Sequence, residues 1–297
     1  MSYALKITLV AVLATGGVVA NPAAAAAKPV IPPGVKAGYV VFDRSTGRVA
    51  VQHDARATFR SASVVKLLIA LDRLDRIRPD ATVSAADHAL LKAMLRSSGD
   101  GAATALWTKG GKRAIVQRMR AKLGLKDTQP PPAAKPGFWG YTAISAADVV
   151  TTYRYLMERT HPRNREIILG HLRKATRCGL DHFDQYFGIP GALPRPWAIK
   201  QGWSGFGSVP PVRCPQSRTA TKTAFTFGAS PVSTVTAAAA PDLGLGRPVL
   251  HTTGLVGKGD RWIVVVLSLH PAGGSWSGAV RRLTTLTGQV YGARGGV

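Results

Sequence analysis

Residues 63–74 have the sequence Ser-Val-Val-Lys-Leu-Leu-Ile-Ala-Leu-Asp-Arg-Leu, which predicts a helix that begins near Ser63 and ends near Asp75. Apolar side chains cover nearly every side of this helix, so we expect it to be buried. A lysine on a buried helix is costly unless it is paired or neutral, so Lys66 needs a chemical reason to be there. Because residues three apart share a helix face, the amine of Lys66 can reach the hydroxyl of Ser63.

Two short motifs follow this helix along the chain, and they are Ser98-Gly99-Asp100 and Lys200-Gln201-Gly202. Each is weak alone. A Ser-x-x-Lys helix followed by these two motifs resembles the active-site set of the serine β-lactamases and penicillin-binding proteins. The resemblance covers most of the chain in motif order and rests on few residues. It implies a sheet lobe, a helical lobe, and a site in the cleft between them.

The resemblance also implies which residues carry an acyl-transfer reaction. Ser63 is expected to attack an amide carbonyl, in a β-lactam or in a D-Ala-type peptide. Lys66 and Ser98 are expected to move protons, and the serine passes one to the leaving nitrogen. Lys200, on a predicted strand, is expected to hold the acidic group of the substrate. The resemblance implies no cofactor and no metal ion.

Four further residues are expected to contact the substrate. Gly202 lets it approach the strand closely, and the backbone N–H of Trp203 completes the oxyanion hole beside that of the nucleophile. Asp100 and Gln201 stand where the family has Asn and either Thr or Ser. A carboxylate only accepts hydrogen bonds, and it favours the charged form of the nearby lysine, so Asp100 departs from the pattern. Asp100 can equally be a simple helix N-cap.

The sharpest departure from the family is a missing glutamate. Class A β-lactamases activate the deacylating water with a glutamate that should lie here in the loop 130–140. No acidic residue occurs between Asp127 and Asp148. The two glutamates of the chain, Glu158 and Glu166, come later. The residues that the resemblance requires for acylation are therefore present, whereas the residue that would activate water for deacylation is not identified.

These observations leave three functions open. The first is an exported β-lactamase-like serine hydrolase, and the second is a D-Ala-D-Ala carboxypeptidase-like wall enzyme with the same chemistry. The third is a binding protein that kept the fold and lost efficient catalysis, which the missing glutamate and Asp100 favour. A Ser-His-Asp hydrolase is disfavoured because the chain has no Gly-x-Ser-x-Gly elbow.

The rest of the sequence predicts strands near both ends of the chain and helices between them. The strands are predicted at 38–43, 48–53, 197–202, 250–256 and 262–269, and a closing helix at 277–291. This order predicts an α+β fold in three α/β/α layers, with an antiparallel sheet of about five strands and a central all-helical lobe. We expect one domain over 28–297, with the sheet lobe at about 35–60 and 195–297 and the helical lobe at about 61–190. A Thr/Ala/Ser-rich stretch at 217–240 is expected to be a surface excursion.

Residues 1–27 predict a cleaved secretory signal, because a lone lysine precedes a short apolar run and an alanine-rich cleavage site. No cysteine lies near that site, so we expect a secreted protein without a lipid anchor. The chain has 39 Lys and Arg against 15 Asp and Glu, a formal charge of +24. This charge favours either solubility or retention on an anionic cell envelope, and the scattered basic residues argue against nucleic acid. The expected partner is a small molecule or a wall peptide, and the expected state is a monomer.

Cys178 and Cys214 are the only two cysteines of the chain. In an exported protein such a pair predicts one disulfide, whose loop encloses and braces the Lys200 motif. Two separate buried thiols are the alternative. A metal site is disfavoured because the seven histidines show no ligand-like spacing with these cysteines.

Overall fold

The computed structural model describes residue 1 and residues 27–215, 243–244 and 246–295. The predicted signal, apart from residues 1 and 27, and the predicted excursion at 217–240 lie outside the described residues. The strands are β1 (Lys36–Asp43), β2 (Arg48–His53), β3 (Thr58–Arg60), β4 (Ala143–Ser145), β5 (Trp197–Ser204), β6 (Val249–Val256) and β7 (Trp262–Leu269). Five of them form one antiparallel sheet in the order β2-β1-β7-β6-β5, and β3 pairs with β4 in a second, small sheet.

The helices surround this sheet. They are α1 (Lys66–Asp75), α2 (Ala85–Arg96), α3 (Asp100–Lys109), α4 (Arg113–Leu123), α5 (Ala146–Glu158), α6 (Pro162–Arg173), α7 (Ile189–Ala192) and α8 (Trp276–Gly292). Serine residues cap α2 and α5, because Ser84 and Ser145 each accept a hydrogen bond from the backbone N–H three residues later. In the described part of the chain, no helix combines the length and the apolar character that a membrane span requires.

The central strand β7 shows why the fold has three layers. Its residues from Ile263 to Leu269 are all buried, because both faces of the strand are covered. Ile263 and Val265 belong to the core under the helical lobe, whereas Val264 and Val266 pack in the core formed with α8. This alternation follows from the two-residue period of a strand. The α+β fold with a five-stranded antiparallel sheet is therefore confirmed.

Helix α1 occupies the centre of the helical lobe, where α2, α3, α4 and α6 pack around it. It is buried on nearly all sides, as its apolar sequence predicts. Its start differs from the prediction. Residues Ala62–Val65 form a 3-10 turn, and the α-helix begins only at Lys66. The tighter turn keeps Ser63 and Lys66 on one side, because side chains three apart eclipse one another in a 3-10 helix.

A disulfide joins Cys178 to Cys214 across 36 residues, with the two Cα atoms 5.6 Å apart. The loop that it closes contains β5. Near the bond, the backbone N–H of Cys214 donates to the carbonyl of His182 at 2.9 Å. The bridge therefore ties the end of the β5 region to the segment that precedes α7.

Replacing both cysteines by alanine is expected to lower the free energy of unfolding by up to about 4 kcal/mol, because a loop of this length loses its entropic restraint in the unfolded chain. Urea unfolding of the double variant and of the wild-type protein measures the difference. Dithiothreitol should bring the wild-type protein close to the variant. Equal unfolding midpoints for the oxidised wild type and the variant would contradict the expectation.

His251 on β6 is a fully buried histidine held in one neutral tautomer. Its Nδ1 accepts the backbone N–H of Ser268 at 3.1 Å, so Nε2 carries the proton and donates to the carbonyl of Arg60 at 2.9 Å. Burial, together with the positive charge of Arg60, lowers the pKa of His251 to about 4. A second proton would have to sit on Nδ1, where it would point at the backbone N–H of Ser268 and break the existing hydrogen bond.

The protein is expected to lose stability as the pH falls from 6.5 to about 4. In that window the unfolded histidine binds a proton that the folded one does not, so the free energy of unfolding falls by about 3 kcal/mol for His251. Urea unfolding at pH 7 and pH 4.5 measures this change. The His251→Asn variant should be less stable at pH 7 and less sensitive to pH, and an unchanged pH dependence would refute the assignment.

Candidate active site

The serine and lysine of the first motif lie together at the start of α1. Nζ of Lys66 lies 2.8 Å from Oγ of Ser63. Lys66 is fully buried, and Ser63 is 6% exposed. Ala62, just before the serine, has φ 43°, a backbone conformation that costs a non-glycine residue on the order of 1 kcal/mol and that clusters at functional sites. The arrangement allows the amine to take the serine proton directly.

The buried Lys66 ammonium has compensating partners on several sides. It donates to the carbonyl oxygen of Ser98 at 2.7 Å and to Oδ1 of Asp100 at 2.7 Å. The ring of Trp139 lies over it, with its centroid 4.7 Å from Nζ. Together with the Ser63 hydroxyl, these groups replace the water that burial removes.

Ser98 links the two lysines of the site. Its Oγ lies 3.3 Å from Nζ of Lys66 and 2.9 Å from Nζ of Lys200. The residue is 6% exposed and has φ 52°, in the left-handed region. The backbone N–H of Gly99 donates to the carbonyl of Ala93, which closes the tight connection between α2 and α3. One hydroxyl can therefore exchange a proton with either amine.

Lys200 reaches this serine from β5 and is 1% exposed. Its amine also donates to the carbonyl of Gln201 at 3.0 Å. Burial, and next the positive charge of Lys66, hold the pKa of Lys200 well below its usual value, which favours the neutral amine. Lys200 is thus turned inward toward Ser98. The expectation that it holds the acidic group of a substrate stays a prediction.

Gly202 brings the edge strand β5 against the turn that carries Ser63. A Cβ atom at this position would lie 3.0 Å from the carbonyl oxygen of Ser61 and 3.0 Å from Cγ2 of Val64. These contacts are tighter than ordinary van der Waals contacts, so a side chain here would push its neighbours apart. The glycine therefore serves the packing of strand on turn, and close approach of a substrate to it stays a prediction.

The other two residues of this motif region have different surroundings. The side-chain amide of Gln201 donates to the carbonyls of Phe187 and Gln185, at 2.6 and 3.1 Å, so it does not contact Ser63, Lys66 or Ser98. The indole N–H of Trp203 donates to Oδ2 of Asp181 at 2.9 Å. The expected role of the Trp203 backbone N–H in an oxyanion hole stays a prediction.

Asp100 is the first residue of α3 and its side chain is 70% exposed. Gly99 takes the N-cap position, and no side-chain capping bond is made there. Asp100 is therefore not the N-cap of α3, and that alternative is wrong. Among the described residues, its carboxylate is the only one within 4 Å of Lys66. The two glutamates lie elsewhere, with Glu158 paired to Arg154 and Glu166 to Arg165.

Sequence reasoning missed two residues that surround this group. Trp139, whose indole N–H donates to Thr104, lies in the Pro/Gly-rich loop where the family glutamate was sought. Asp181 lies inside the disulfide loop and accepts bonds from Trp203 and the backbone N–H of Phe183. The position of Asp181 three residues after Cys178, in a loop expected to brace the third motif, was the available signal.

Solved structures with the same architecture exist among known hydrolases. A class A β-lactamase from Mycobacterium abscessus matches with a TM-score of 0.58 and 18% identity, over 88% of this chain and 95% of that chain. PBP-A matches with a TM-score of 0.59 and 17% identity, over 90% and 92%. A PBP-A mutant solved as an acyl-enzyme complex with penicillin G matches with a TM-score of 0.59 and 16% identity, over 89% and 92%. The chain therefore has the fold of the serine β-lactamases and penicillin-binding proteins, as its motifs predicted.

Curated relatives share more sequence. The proteins named "Putative lipoprotein LppW" in Mycobacterium tuberculosis and Mycobacterium bovis are 37% identical over 245 residues, which cover 80% of this chain. The chain spans 65% of the length of these relatives. No protein-family model matches the chain.

These relatives correct one prediction. We expected a secreted protein with a cleaved signal and no lipid anchor, but the relatives bear the name of a lipoprotein. Acyl chains hold a lipoprotein at a membrane through the burial of their methylene groups, each worth about 0.8 kcal/mol. The prediction of free secretion is wrong by this comparison.

The packing of β5 on the nucleophile turn can be tested at Gly202. The Gly202→Ala variant is expected to lower the free energy of unfolding by about 1–3 kcal/mol, because its Cβ overpacks the contact with Ser61 and Val64. Gly170→Ala, in α6 where no atom lies within 4 Å of a new Cβ, is the matched control and should raise it by about 0.5–1 kcal/mol. Urea unfolding compares the three proteins, and equal effects of the two substitutions would be inconsistent with close packing at Gly202.

Proposed function

We propose that this protein is a serine acyl-transfer enzyme that is acylated at Ser63 by a β-lactam or by a peptide amide of the D-Ala type. The observation that carries the proposal is the continuous hydrogen-bonded path from Ser63 through Lys66 and Ser98 to Lys200. All four side chains are buried, so bulk water does not compete for these protons. The shared fold with β-lactamases and PBP-A supports a small molecule or a peptide as substrate.

The proposed acylation requires the neutral amine of Lys66, which takes the proton of Ser63. Oγ then bonds to the carbonyl carbon, and the carbonyl oxygen becomes an oxyanion that the N–H groups of Ser63 and Trp203 stabilise. When the tetrahedral intermediate collapses, the C–N bond breaks. Ser98 gives its proton to the leaving nitrogen and recovers one from a neighbouring amine. Acyl-enzyme and free amine are the products.

Deacylation is the weak half of the proposed reaction. A water must lose a proton to attack the ester, and a carboxylate usually assists. In the described residues Asp100 carries the one carboxylate within 4 Å of Lys66, with which it is already paired. The ring of Trp139 covers another side of the same ammonium. We therefore place the chemistry closer to a penicillin-binding protein than to a rapid β-lactamase.

The second candidate is a binding protein with little catalysis. Two observations favour it: Ser63 is only 6% exposed, and the carboxylate of Asp100 lies 2.7 Å from Nζ of the lysine that should act as base. A D-Ala-D-Ala carboxypeptidase-like enzyme differs from the main proposal in substrate and not in machinery. A test of covalent chemistry at Ser63 separates the enzymes from the binding protein.

We also propose that residues 28–297 act as one monomeric domain at a cell envelope. The chain has a net charge of +24, of which all but the charge of Lys6 lies in these residues, and this charge would draw the domain to anionic surfaces. The name of the relatives adds support, since a lipoprotein works at a membrane.

Exposure to benzylpenicillin is expected to add one penicillin mass to the protein, on Ser63, and the adduct should persist after free drug is removed. Intact-mass spectrometry over time measures both formation and loss. Ser63→Ala should form no adduct. Ser97→Ala is the control, because the Ser97 hydroxyl bonds Thr176 and none of the proposed catalytic groups. A wild-type protein that stays unmodified would favour the binding protein, and rapid loss of the adduct would favour an efficient β-lactamase.

A further inference from the structure

Ser98 has a backbone conformation that the surrounding structure must hold. Its φ of 52° lies in the left-handed region, where a residue with a Cβ atom persists only if its neighbours fix it. The connection that carries it runs from Ser97 to Gly99, between α2 and α3. The proton path proposed above depends on this turn, because Oγ of Ser98 has to stay close to the amine of Lys200.

The side chain of Gln185 holds the start of this connection. The residue is 2% exposed, and its Nε2 donates to the carbonyl of Arg96, the last residue of α2, at 2.7 Å. Beside this bond, the backbone N–H of Leu180 donates to the carbonyl of Ser97 at 2.9 Å. The segment that carries Gln185 is therefore bonded to the residues immediately before Ser98.

Gln201 binds the same segment from the side of the sheet. Its Nε2 donates to the backbone carbonyls of Phe187 and Gln185, at 2.6 and 3.1 Å. The nitrogen has to face these carbonyls, because an oxygen in its place would meet two acceptors. Gln201 follows Lys200 in β5, so the two bonds fix the strand beside the lysine that reaches Ser98.

The Gln201 amide makes these bonds at a cost. In the described part of the chain its side-chain oxygen Oε1 is buried and makes no hydrogen bond. A buried acceptor without a partner destabilises the folded state. The contribution of this side chain therefore lies in the two bonds that its nitrogen donates, and both go to the segment that Gln185 ties to α2.

We infer that Gln185 and Gln201 are positioning residues, two buried amides in series that hold the hydroxyl of Ser98 against the amine of Lys200. The inference rests on the proposed function, in which Ser98 gives a proton to the leaving nitrogen. One amide ties the α2–α3 connection to the segment 176–187, and the other ties that segment to β5. Each acts through the place that it gives to Ser98 and Lys200.

The leaving group separates this role from a general effect on folding. An amide nitrogen leaves only when it is protonated, whereas a thiolate leaves as the anion. Benzylpenicillin, with a leaving nitrogen, is therefore compared with the N-benzoyl-D-alanyl thioester of thioglycolate. With the thioester, Lys66 keeps the proton of Ser63, the C–S bond breaks, and the thiolate departs. Acylation of Ser63 is followed by intact mass for the penicillin and by released thiol for the thioester.

Methionine has nearly the volume of glutamine and no donor, so Gln185→Met and Gln201→Met remove the bonds with little change in packing. Each is expected to slow acylation by benzylpenicillin about tenfold and acylation by the thioester at most about twofold, because only the first needs the proton of Ser98. Since the two amides act in series, the double variant should lose no more than the more affected single variant.

Thr160→Val is the matched control. Thr160 is 4% exposed and its hydroxyl donates to the carbonyl of Tyr155 at 3.1 Å, so this substitution also takes a buried donor from a backbone carbonyl. The ratio of the two acylation rates should stay at the wild-type level. Gln201→Asn, with an amide one methylene shorter, replaces Gln201→Met if the latter does not fold, and circular dichroism checks every variant.

The outcomes separate the positioning role from the proposed function. If neither compound acylates the wild-type protein, both are overturned. If both compounds acylate it, and the glutamine variants slow the two reactions equally or not at all, the positioning role is overturned while Ser63 stands as the nucleophile. A double variant that loses the product of the two single effects would overturn the arrangement in series.

Discussion

The ammonium of Lys66 is the constraint on which the rest of the structure depends. A charge with no exposed surface costs several kcal/mol unless the fold supplies partners in place of water. Those partners come from separate parts of the chain: the turn of Ser63, the α2–α3 connection with Ser98 and Asp100, and the loop of Trp139. Satisfying one buried amine therefore fixes three segments against one another.

The same constraint joins the two lobes. Ser98 contacts the lysine of the helical lobe and the lysine of β5, so one hydroxyl holds an amine from each side. Gly202 allows the strand to come this close, because its backbone lies against Ser61 and Val64. The result is a site in which the fold itself holds Ser63, Lys66, Ser98 and Lys200 in contact.

Much of this could be predicted from the sequence because the governing signals are local. Alternating or continuous apolar runs gave the five sheet strands to within a few residues, and the uniform apolarity of residues 64–74 gave the buried helix. The spacing of Ser63 and Lys66 gave their contact, since three residues bring side chains to one face of either kind of helix. The order of the motifs predicted the fold, but it did not predict which charged side chains lie around the site.

The rest depended on contacts that spacing does not encode. Gln201 has an ordinary strand position, but its side-chain amide donates to two backbone carbonyls of the segment before α7. Trp139 begins a short 3-10 helix inside a long connection, and Asp181 lies on a loop closed by the disulfide, so the placement of both follows from long-range contacts. The 3-10 turn that precedes α1 was also not predicted, because apolar periodicity does not separate a 3-10 turn from the first turn of an α-helix.

The sheet order β2-β1-β7-β6-β5 determines when the strands can pair during synthesis. β1 (Lys36–Asp43) is made long before its central neighbour β7 (Trp262–Leu269). At 5–20 residues per second the first strand waits roughly 10 to 45 s for that neighbour. Throughout this interval β5 has no route to β1, and the amine of Lys200 has no fixed place opposite Ser63. The contacts among Ser63, Lys66, Ser98 and Lys200 therefore cannot be complete before β7 has been made.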